Sequence, residues 1–209
     1  VALPRMVSIP AGDYLWRPSG NWRLEGRGVA PPLQQRYGRP LEIMKYQVTG
    51  EDYARCVDAG DCSGTEPQDP ILPQVFVNWN DAVAYADWLS DATGQTWRLP
   101  TEEEWQRAAA ERFVDDAVGG EDPGQRMLAA YSLNTAGRDS IATLKAPGGG
   151  GENSFGIADM AGPVWEWTST CIDSGTVEED GELRWDDSYC GARIASGQHR
   201  ARVIDFIRD

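Results

Sequence analysis

The chain has 209 residues, which suits one large domain or two small ones, and its nine tryptophans and 41% apolar content allow a sizeable core. No apolar run reaches the roughly 18–20 residues of a membrane helix, and no signal peptide is visible after Val1, so we expect an export signal that was removed or trimmed. The net charge of −14, from 33 acidic and 19 basic residues, argues against nucleic acid as a partner. This charge suits cation binding, or it serves solubility alone.

The first half of the chain contains three predicted strands. Met6–Gly12 alternates apolar and polar residues before a turn, and Leu41–Val48 and Val75–Val77 also have the composition of strands. Residues 17–39 are rich in proline, glycine and arginine, so we predict a loop there.

Local signals predict three helices, one before the strand at Val75–Val77 and two after it. Thr49 and Asp52 form a capping pair for the first helix, which Gly60 ends. Asn80 is the predicted cap of the second helix, and Gly94 its C-terminal stop. The buried face of the second helix follows the i, i+3, i+4 spacing and is predicted to comprise Ala82, Val83, Ala86 and Leu89.

The third predicted helix begins at a capping box formed by Thr101 and Glu104, and its inner face carries Trp105, Ala108 and Ala109. Beyond residue 113 the sequence gives little regular pattern. Residues 115–126 and 136–153 are rich in glycine and aspartate, which predicts long loops within one domain. Metal ions or disulfides are the usual anchors of such loops.

The four cysteines form two pairs that are local in sequence, Cys56 with Cys62 and Cys171 with Cys190. An even number of cysteines in local pairs favours two disulfides and an oxidising compartment. Free thiols remain the alternative. A zinc site has little support, because the chain has one histidine and no Cys-x2-Cys pattern.

Five stretches occur in an order and spacing that identify a family. They are Met6–Gly12, Lys45–Thr49, Asn78–Trp88, Trp97–Ala109 and Asn153–Trp167. Together they resemble the formylglycine-generating-enzyme, or sulfatase-modifying-factor, family. The resemblance implies a single compact α+β domain over residues 1–209, related to the C-type-lectin fold, with little regular secondary structure and long loops. The family's C-terminal Gly-Phe-Arg strand is missing, so we expect an incomplete C-terminus.

The same resemblance implies bound Ca²⁺. One family site maps onto the Asp159 side chain, the Gly162 and Val164 carbonyls and the Glu166 carboxylate. These residues also make chemical sense, because carboxylates in an apolar run need a cation or hydrogen bonds. The alternative for Glu166 is a salt bridge to an arginine.

A second calcium site of the family maps onto the Asn134 side chain, the Thr135 carbonyl, Asp139 and the Ile141 carbonyl. The spacing between these residues is shorter than in the enzymes of the family. The sequence therefore predicts this second site from the resemblance alone.

The resemblance is incomplete at the family's catalytic centre. In the true enzymes a cysteine pair near the C-terminus binds copper, whereas no cysteine follows Gly197 here, so conversion of cysteine to formylglycine is not expected. The weak catalytic candidates are His199 and Arg202, and His199 is otherwise a surface or packing residue. An acidic ligand could bind bidentately to the nearby arginines, which otherwise pair with surface acids. These candidate ligand-binding arginines are Arg193, Arg200 and Arg208.

The region around Cys171 and Cys190 most resembles the periplasmic branch of the family. That branch includes proteins of pyoverdine maturation, nitrite-reductase accessory proteins and a regulator of type VI secretion. One hypothesis is therefore a periplasmic maturation factor for an exported peptide, such as a pyoverdine-type siderophore precursor. A second is a non-catalytic module that holds a periplasmic partner protein in type VI secretion signalling. A third, a lectin-like sugar binder, depends on fold analogy alone.

Overall fold

The structure is a computed structural model that describes residues 2–115, 144–198 and 200–203. It contains three α-helices, a short 3-10 helix and nine strands within the described residues. In chain order these elements are β1 (Met6–Ile9), β2 (Gly12–Trp16), β3 (Asn21–Leu24), β4 (Arg27–Val29), β5 (Gln34–Gly38), β6 (Leu41–Met44), α1 (Gly50–Ala59), α2 (Trp79–Thr93), α3 (Glu102–Ala109), the 3-10 helix (Ala110–Arg112), β7 (Glu166–Val177), β8 (Leu183–Ser196) and β9 (Arg200–Val203).

The strands form two small ribbons and one larger sheet. β1 pairs with β6 and β2 pairs with β5, both antiparallel. The third sheet has five strands in the order β4-β3-β7-β8-β9, in which β3 runs parallel to β7 and the other neighbours are antiparallel. The long β7–β8 hairpin is therefore the centre of the main sheet, and β9 lies at one edge of it.

The prediction of a loop over residues 17–39 was wrong, because this segment contains β3, β4 and β5. Each of these strands forms by pairing with another strand, and the sequence of the segment does not indicate which strand that is. Trp22 of β3 lies opposite Gly175 of β7, and the Trp22 side chain is 2% exposed. Strand preference depends strongly on such packing across strands, so the proline- and glycine-rich composition of the segment was misleading.

The strand predicted at Val75–Val77 was also wrong, because no strand forms there. Phe76 instead adopts a left-handed backbone conformation with a φ of 58°, and its side chain is 68% exposed. A left-handed φ is uncommon for a bulky residue and is found mainly where the surrounding structure imposes it. The predicted strand at Leu41–Val48 is shorter than expected and ends at Met44.

The predicted N-terminal caps of α1 and α3 are confirmed. Thr49 caps α1 in a complete capping box with Asp52, and Gly60 ends α1 in the left-handed conformation. Thr101 and Glu104 form the predicted box at the start of α3. These signals span three or four residues, so the sequence alone determines them.

The start of α2 was predicted two residues too late. Asn78, rather than Asn80, caps the helix, and its box is completed by Asp81. Gly94 ends α2 as predicted. The predicted inner face of α2 is confirmed in part, because Ala86 and Leu89 are buried, whereas Ala82 and Val83 are only partly so. The larger buried side chains of the helix are Tyr85 and Trp88.

Two hydrophobic clusters lie beneath the helices. In the first, the predicted inner face of α3 packs against β1 and the segment after residue 156, and its buried members are Ile9, Trp105, Ala108, Ala109, Ile157 and Met160. The second joins α1 to α2 and contains Tyr53, Cys56, Tyr85, Trp88 and Leu89. The first cluster, called the α3 cluster below, therefore connects α3 to the loop that carries the candidate site.

Both predicted disulfides are present. Cys56 is bonded to Cys62, which ties the end of α1 to the following loop, and Cys171 is bonded to Cys190 across the β7–β8 hairpin. All four cysteines of the sequence are therefore oxidised. Over the described ranges, none of the helices has the length and apolar character needed to cross a membrane.

Candidate functional site

The candidate site is built on the loop between residues 153 and 167, which Asn153 and Glu111 fix to the end of α3. The buried Asn153 amide donates to the Ala108 carbonyl at 2.6 Å, and its Oδ1 accepts from the amide of Ile157 at 3.1 Å. Glu111 accepts hydrogen bonds from the backbone and hydroxyl of Ser154. These contacts hold an irregular backbone in one conformation without regular secondary structure.

Asp159 lies at the centre of this loop and is enclosed by the glycine run that precedes it. Its two carboxylate oxygens accept hydrogen bonds from the amides of Gly148 and Gly150, each at 2.6 Å. A Cβ atom at Gly150 would lie 2.8 Å from Asp159 Oδ1. The close approach explains why this position requires glycine. Asp159 itself has a left-handed φ of 63°.

Glu166 begins β7 and faces two neutral donors. Its carboxylate accepts from the Gln47 amide at 2.7 Å and from the Trp105 indole at 2.9 Å. Burial raises the pKa of the Glu166 carboxyl, and the negative charge of Asp159 adds to the rise, although the two hydrogen bonds oppose it. The donors to this carboxylate are thus an amide and an indole, rather than the arginine considered from sequence.

The predicted ligands of the first calcium site have the donor chemistry that Ca²⁺ prefers. All four predicted ligands are oxygen atoms, and each carboxylate oxygen that accepts one hydrogen bond keeps a second lone pair. The Gly162 carbonyl accepts one bond, from the Gln198 amide at 3.1 Å. No group of three or more histidine, cysteine, aspartate or glutamate side chains suited to a metal occurs in the parts of the chain that the structure covers. A site here would therefore depend on backbone carbonyls as well as on Asp159 and Glu166.

Several predicted site residues lie outside the described residues. These are all four members of the second calcium site, Asn134, Thr135, Asp139 and Ile141, together with His199 and Arg208. Arg200 and Arg202 lie on β9, whose register pairs them with Ser196 and Ile194. Their predicted roles stay predictions.

Arg193 is the one predicted ligand-binding arginine whose side chain the structure describes. Its guanidinium carbon lies 4.3 Å from the centre of the Trp79 ring. Its Nη1 donates to the Ser169 carbonyl at 2.8 Å and lies 2.7 Å from the sulfur of Cys171. The side chain of Arg193, which belongs to β8, is therefore held against β7 beside the disulfide.

A large cavity of about 990 Å³ lies next to Glu166, between β6, α2, α3 and the loop of residues 153–167. Arg98 and Glu104 form a bidentate salt bridge on its wall. Both guanidinium nitrogens, Nη1 and Nη2, donate to the carboxylate oxygens of Glu104 at 2.7 Å. Desolvation alone would raise the pKa of Glu104, but hydrogen bonds from Arg98 and Thr101 outweigh it and hold that pKa below its usual value.

Glu104→Gln is expected to lower the free energy of unfolding by about 0.5–1 kcal/mol at pH 7. A lowered pKa in the folded state stabilises the protein above the unfolded pKa of about 4.3, and this contribution disappears as the pH falls through the folded value. Urea unfolding at pH 7 and pH 3 measures the difference. A deficit of the variant that is as large at pH 3 as at pH 7 would contradict the ion-pair explanation.

A second cavity, of about 200 Å³, opens beside the loop of residues 153–167 and is lined in part by aromatic side chains. Phe76, Pro163, Trp165 and Trp167 contribute to its wall. The Trp167 indole donates to the Val77 carbonyl at 3.0 Å, which holds the segment around Phe76 against β7. Phe76 was not predicted as a site residue, because the left-handed backbone that exposes its side chain has no local sequence signal.

Gly197, at the turn from β8 to β9, lies against Trp165, which lines this second cavity. A Cβ atom at Gly197 would lie 2.3 Å from Cδ1 of Trp165. Gly197→Ala is therefore expected to displace the Trp165 ring and to lower the free energy of unfolding by about 1–3 kcal/mol. Denaturant unfolding and tryptophan fluorescence measure both effects. Gly28→Ala is the control, because nothing lies within 4 Å of its new Cβ; equal effects of the two variants would refute this packing.

Comparison with protein families and sequences gives consistent results. The sequence model of the family described as "Sulfatase-modifying factor enzyme 1-like domain" matches residues 1–209. The mouse (Mus musculus) protein named "Inactive C-alpha-formylglycine-generating enzyme 2" is 30% identical over 141 residues, 63% of this chain and 42% of that protein. The "Formylglycine-generating enzyme" of Thermomonospora curvata is 36% identical over 107 residues, 47% of this chain and 33% of that enzyme. The chain thus spans less than half the length of these curated relatives.

Two solved structures share the fold. PvdO from Pseudomonas aeruginosa has a TM-score of 0.61 at 23% identity, covering 96% of this chain and 88% of that one. Treponema denticola variable protein 1 has a TM-score of 0.54 at 16% identity, covering 98% and 91%. At these identities the similarity shows the fold alone, and it confirms the predicted compact α+β architecture with long loops.

Proposed function

The chain belongs to the sulfatase-modifying factor enzyme 1-like family, and from this premise we propose that it is a periplasmic member that acts on an exported peptide. The proposed role is maturation of a peptide such as a pyoverdine-type siderophore precursor. The observation that carries the proposal is the aromatic cavity of about 200 Å³ formed by Phe76, Pro163 and Trp165. A cavity of this size accommodates one side chain of an extended peptide, and aromatic walls favour an apolar or aromatic one.

The periplasmic location is supported by the state of the cysteines. Both disulfides join residues that are close in sequence, and such bonds persist in oxidising compartments. The same observation argues against formylglycine formation by this chain. Within the 209 residues every cysteine is bonded to another, so the thiolate pair that the family's copper centre requires has no counterpart.

Calcium is the proposed cofactor, with Asp159, Glu166 and the carbonyls of Gly162 and Val164 as its ligands. The support is electrostatic, because burial raises the pKa of Glu166 and the charge of Asp159 adds to the rise, whereas a divalent cation would stabilise both carboxylates. The bound ion would supply structural order. It would fix the start of β7 relative to the loop. It would thereby also fix Trp165 and Trp167, which line the aromatic cavity. A second ion held by residues 134–141 stays a prediction of the family resemblance.

Binding and turnover of the peptide test the proposed role. The purified protein is incubated with the pyoverdine peptide precursor, binding is measured by calorimetry, and the product by mass spectrometry. Phe76→Ala is expected to weaken binding about tenfold or more, the loss of one well-buried aromatic contact. Tyr37→Ala is the matched control, because Tyr37 is a comparably exposed aromatic residue, 71% exposed, on β5. Absence of binding, or equal effects of the two substitutions, would contradict the proposal.

The alternative is a non-catalytic module that uses the same surface to hold a periplasmic partner protein in type VI secretion signalling. The oxidised cysteines favour it, because they leave this chain without the family's redox residues. His199→Gln and Arg202→Gln separate the two roles. A maturation enzyme that uses these residues loses product formation while it still binds the peptide. If activity in cells survives both changes and Phe76→Ala abolishes capture of a partner, the binding role is correct.

A further inference from the structure

The two disulfides differ in the features that govern thiol exchange. Cys56 is fully buried in the cluster between α1 and α2, and its partner Cys62 is half-buried. Cys190 is an exposed residue on β8, and its partner Cys171 is half-buried. Because exchange requires a thiolate to reach one sulfur atom, exposure favours attack at Cys190 over attack at Cys56.

The strand ladder is already interrupted at Cys190. The register of the β7–β8 hairpin passes from Ile172 opposite Tyr189 directly to Cys171 opposite Arg193. Residues 190–192 therefore form a bulge with no partner residues on β7. Bulges bend the strand and leave residues outside the ladder, so the sulfur–sulfur bond can open while the pairing on both sides remains.

Arg193 places a fixed positive charge at the other sulfur. Its Nη1 lies 2.7 Å from Cys171 Sγ, while the Trp79 ring and the Ser169 carbonyl hold the guanidinium in position. A guanidinium is always protonated in proteins. An adjacent positive charge lowers a thiol pKa, and a sulfur with a lower pKa leaves faster in exchange.

We propose that Cys171–Cys190 is an exchangeable disulfide that accepts two electrons from a dithiol, with Cys190 as the point of attack. The substrate class is a peptide or protein with a reduced cysteine pair. This inference is independent of the peptide-maturation role.

The exchange proceeds in two balanced steps. A substrate thiolate attacks Cys190 Sγ, the sulfur–sulfur bond breaks, and its electron pair passes to Cys171, which leaves as a thiolate beside Arg193. The second substrate thiolate then attacks the substrate sulfur of the mixed disulfide. It releases Cys190 as a thiolate, which takes up a proton. The substrate is oxidised to a disulfide, while Cys171 is reduced to a thiolate and Cys190 to a thiol.

Timed reduction of the native protein tests the difference between the two bonds. The chain is treated with dithiothreitol, quenched with acid, alkylated and mapped by mass spectrometry. Cys171 and Cys190 are expected to be alkylated at least tenfold sooner than Cys56 and Cys62, since Cys190 is exposed, whereas Cys56 is buried and Cys62 is half-buried. Equal rates for the two bonds, or faster opening of Cys56–Cys62, would overturn the proposal.

The site of attack is tested by brief exposure to reduced glutathione followed by acid trapping. The mixed disulfide is expected on Cys190, and an adduct mainly on Cys171 would overturn the assignment. This measurement uses the unmodified chain, so it remains decisive even if a variant fails to fold.

The role of the guanidinium is tested with Arg193→Gln and Arg193→Lys. A higher pKa of the leaving thiol slows exchange, so Arg193→Gln is expected to react about threefold more slowly, and the lysine variant to recover part of the rate. Arg184→Gln is the control, because Arg184 lies on the same strand but pairs with Glu178 and Asp186. Unchanged exchange in a folded Arg193→Gln variant would refute the role of the charge.

Discussion

Replacement of Trp105 with alanine is expected to lower the free energy of unfolding by about 3–5 kcal/mol. Trp105 is 0% exposed and is the largest member of the cluster that joins α3 to the candidate-site loop. The substitution also removes a hydrogen bond to the partly buried Glu166 carboxylate. Urea unfolding followed by circular dichroism measures the loss, and the midpoint is expected to shift strongly downward.

Two further variants separate packing from hydrogen bonding at this position. Trp105→Phe keeps most of the apolar volume and removes only the indole donor, so we expect a smaller loss of about 1–3 kcal/mol. Trp185→Ala is the matched control, since Trp185 is 45% exposed and is expected to cost less than Trp105→Ala. A Trp105→Ala variant no less stable than Trp185→Ala would show that the α3 cluster is not the core of this part of the molecule.

Calcium is expected to raise the free energy of unfolding by about 2.7 kcal/mol when its concentration is a hundred times the dissociation constant. The gain arises because the proposed site, formed by Asp159, Glu166 and nearby carbonyls, exists only in the folded chain. Thermal unfolding with calcium and with a chelator measures it. The melting temperature is expected to fall when the chelator is added.

The contribution of the first site is isolated with Glu166→Gln, which keeps the shape of the side chain and removes its charge. This variant is expected to lose most of the calcium-dependent rise in melting temperature, because a neutral amide is a weaker ligand. Glu178→Gln is the control, as Glu178 is an exposed residue that pairs with Arg184. If neither metal analysis nor melting detects calcium in the unmodified protein, the proposed cofactor is wrong.

The candidate site was partly predictable, and the residues show why. The loop from Asn153 to Trp167 was recognised as a motif, and the structure places Asp159 and Glu166 within it. The donors that satisfy Glu166 come from Gln47, 119 residues away, and from Trp105, 61 residues away. No local pattern contains that information, so the sequence left an arginine partner open where the structure shows an amide and an indole.

The sequence by itself determined the family, the caps of α1 and α3 and the pairing of local cysteines, because each of these depends on residues that are neighbours along the chain. Thr49 with Asp52 and Cys56 with Cys62 are examples. Only the tertiary structure decided the strands within residues 17–39, the left-handed Phe76 beside the aromatic cavity, and the charge at the disulfide sulfur. These features arise from contacts between segments distant in sequence, which exist only once the chain has folded.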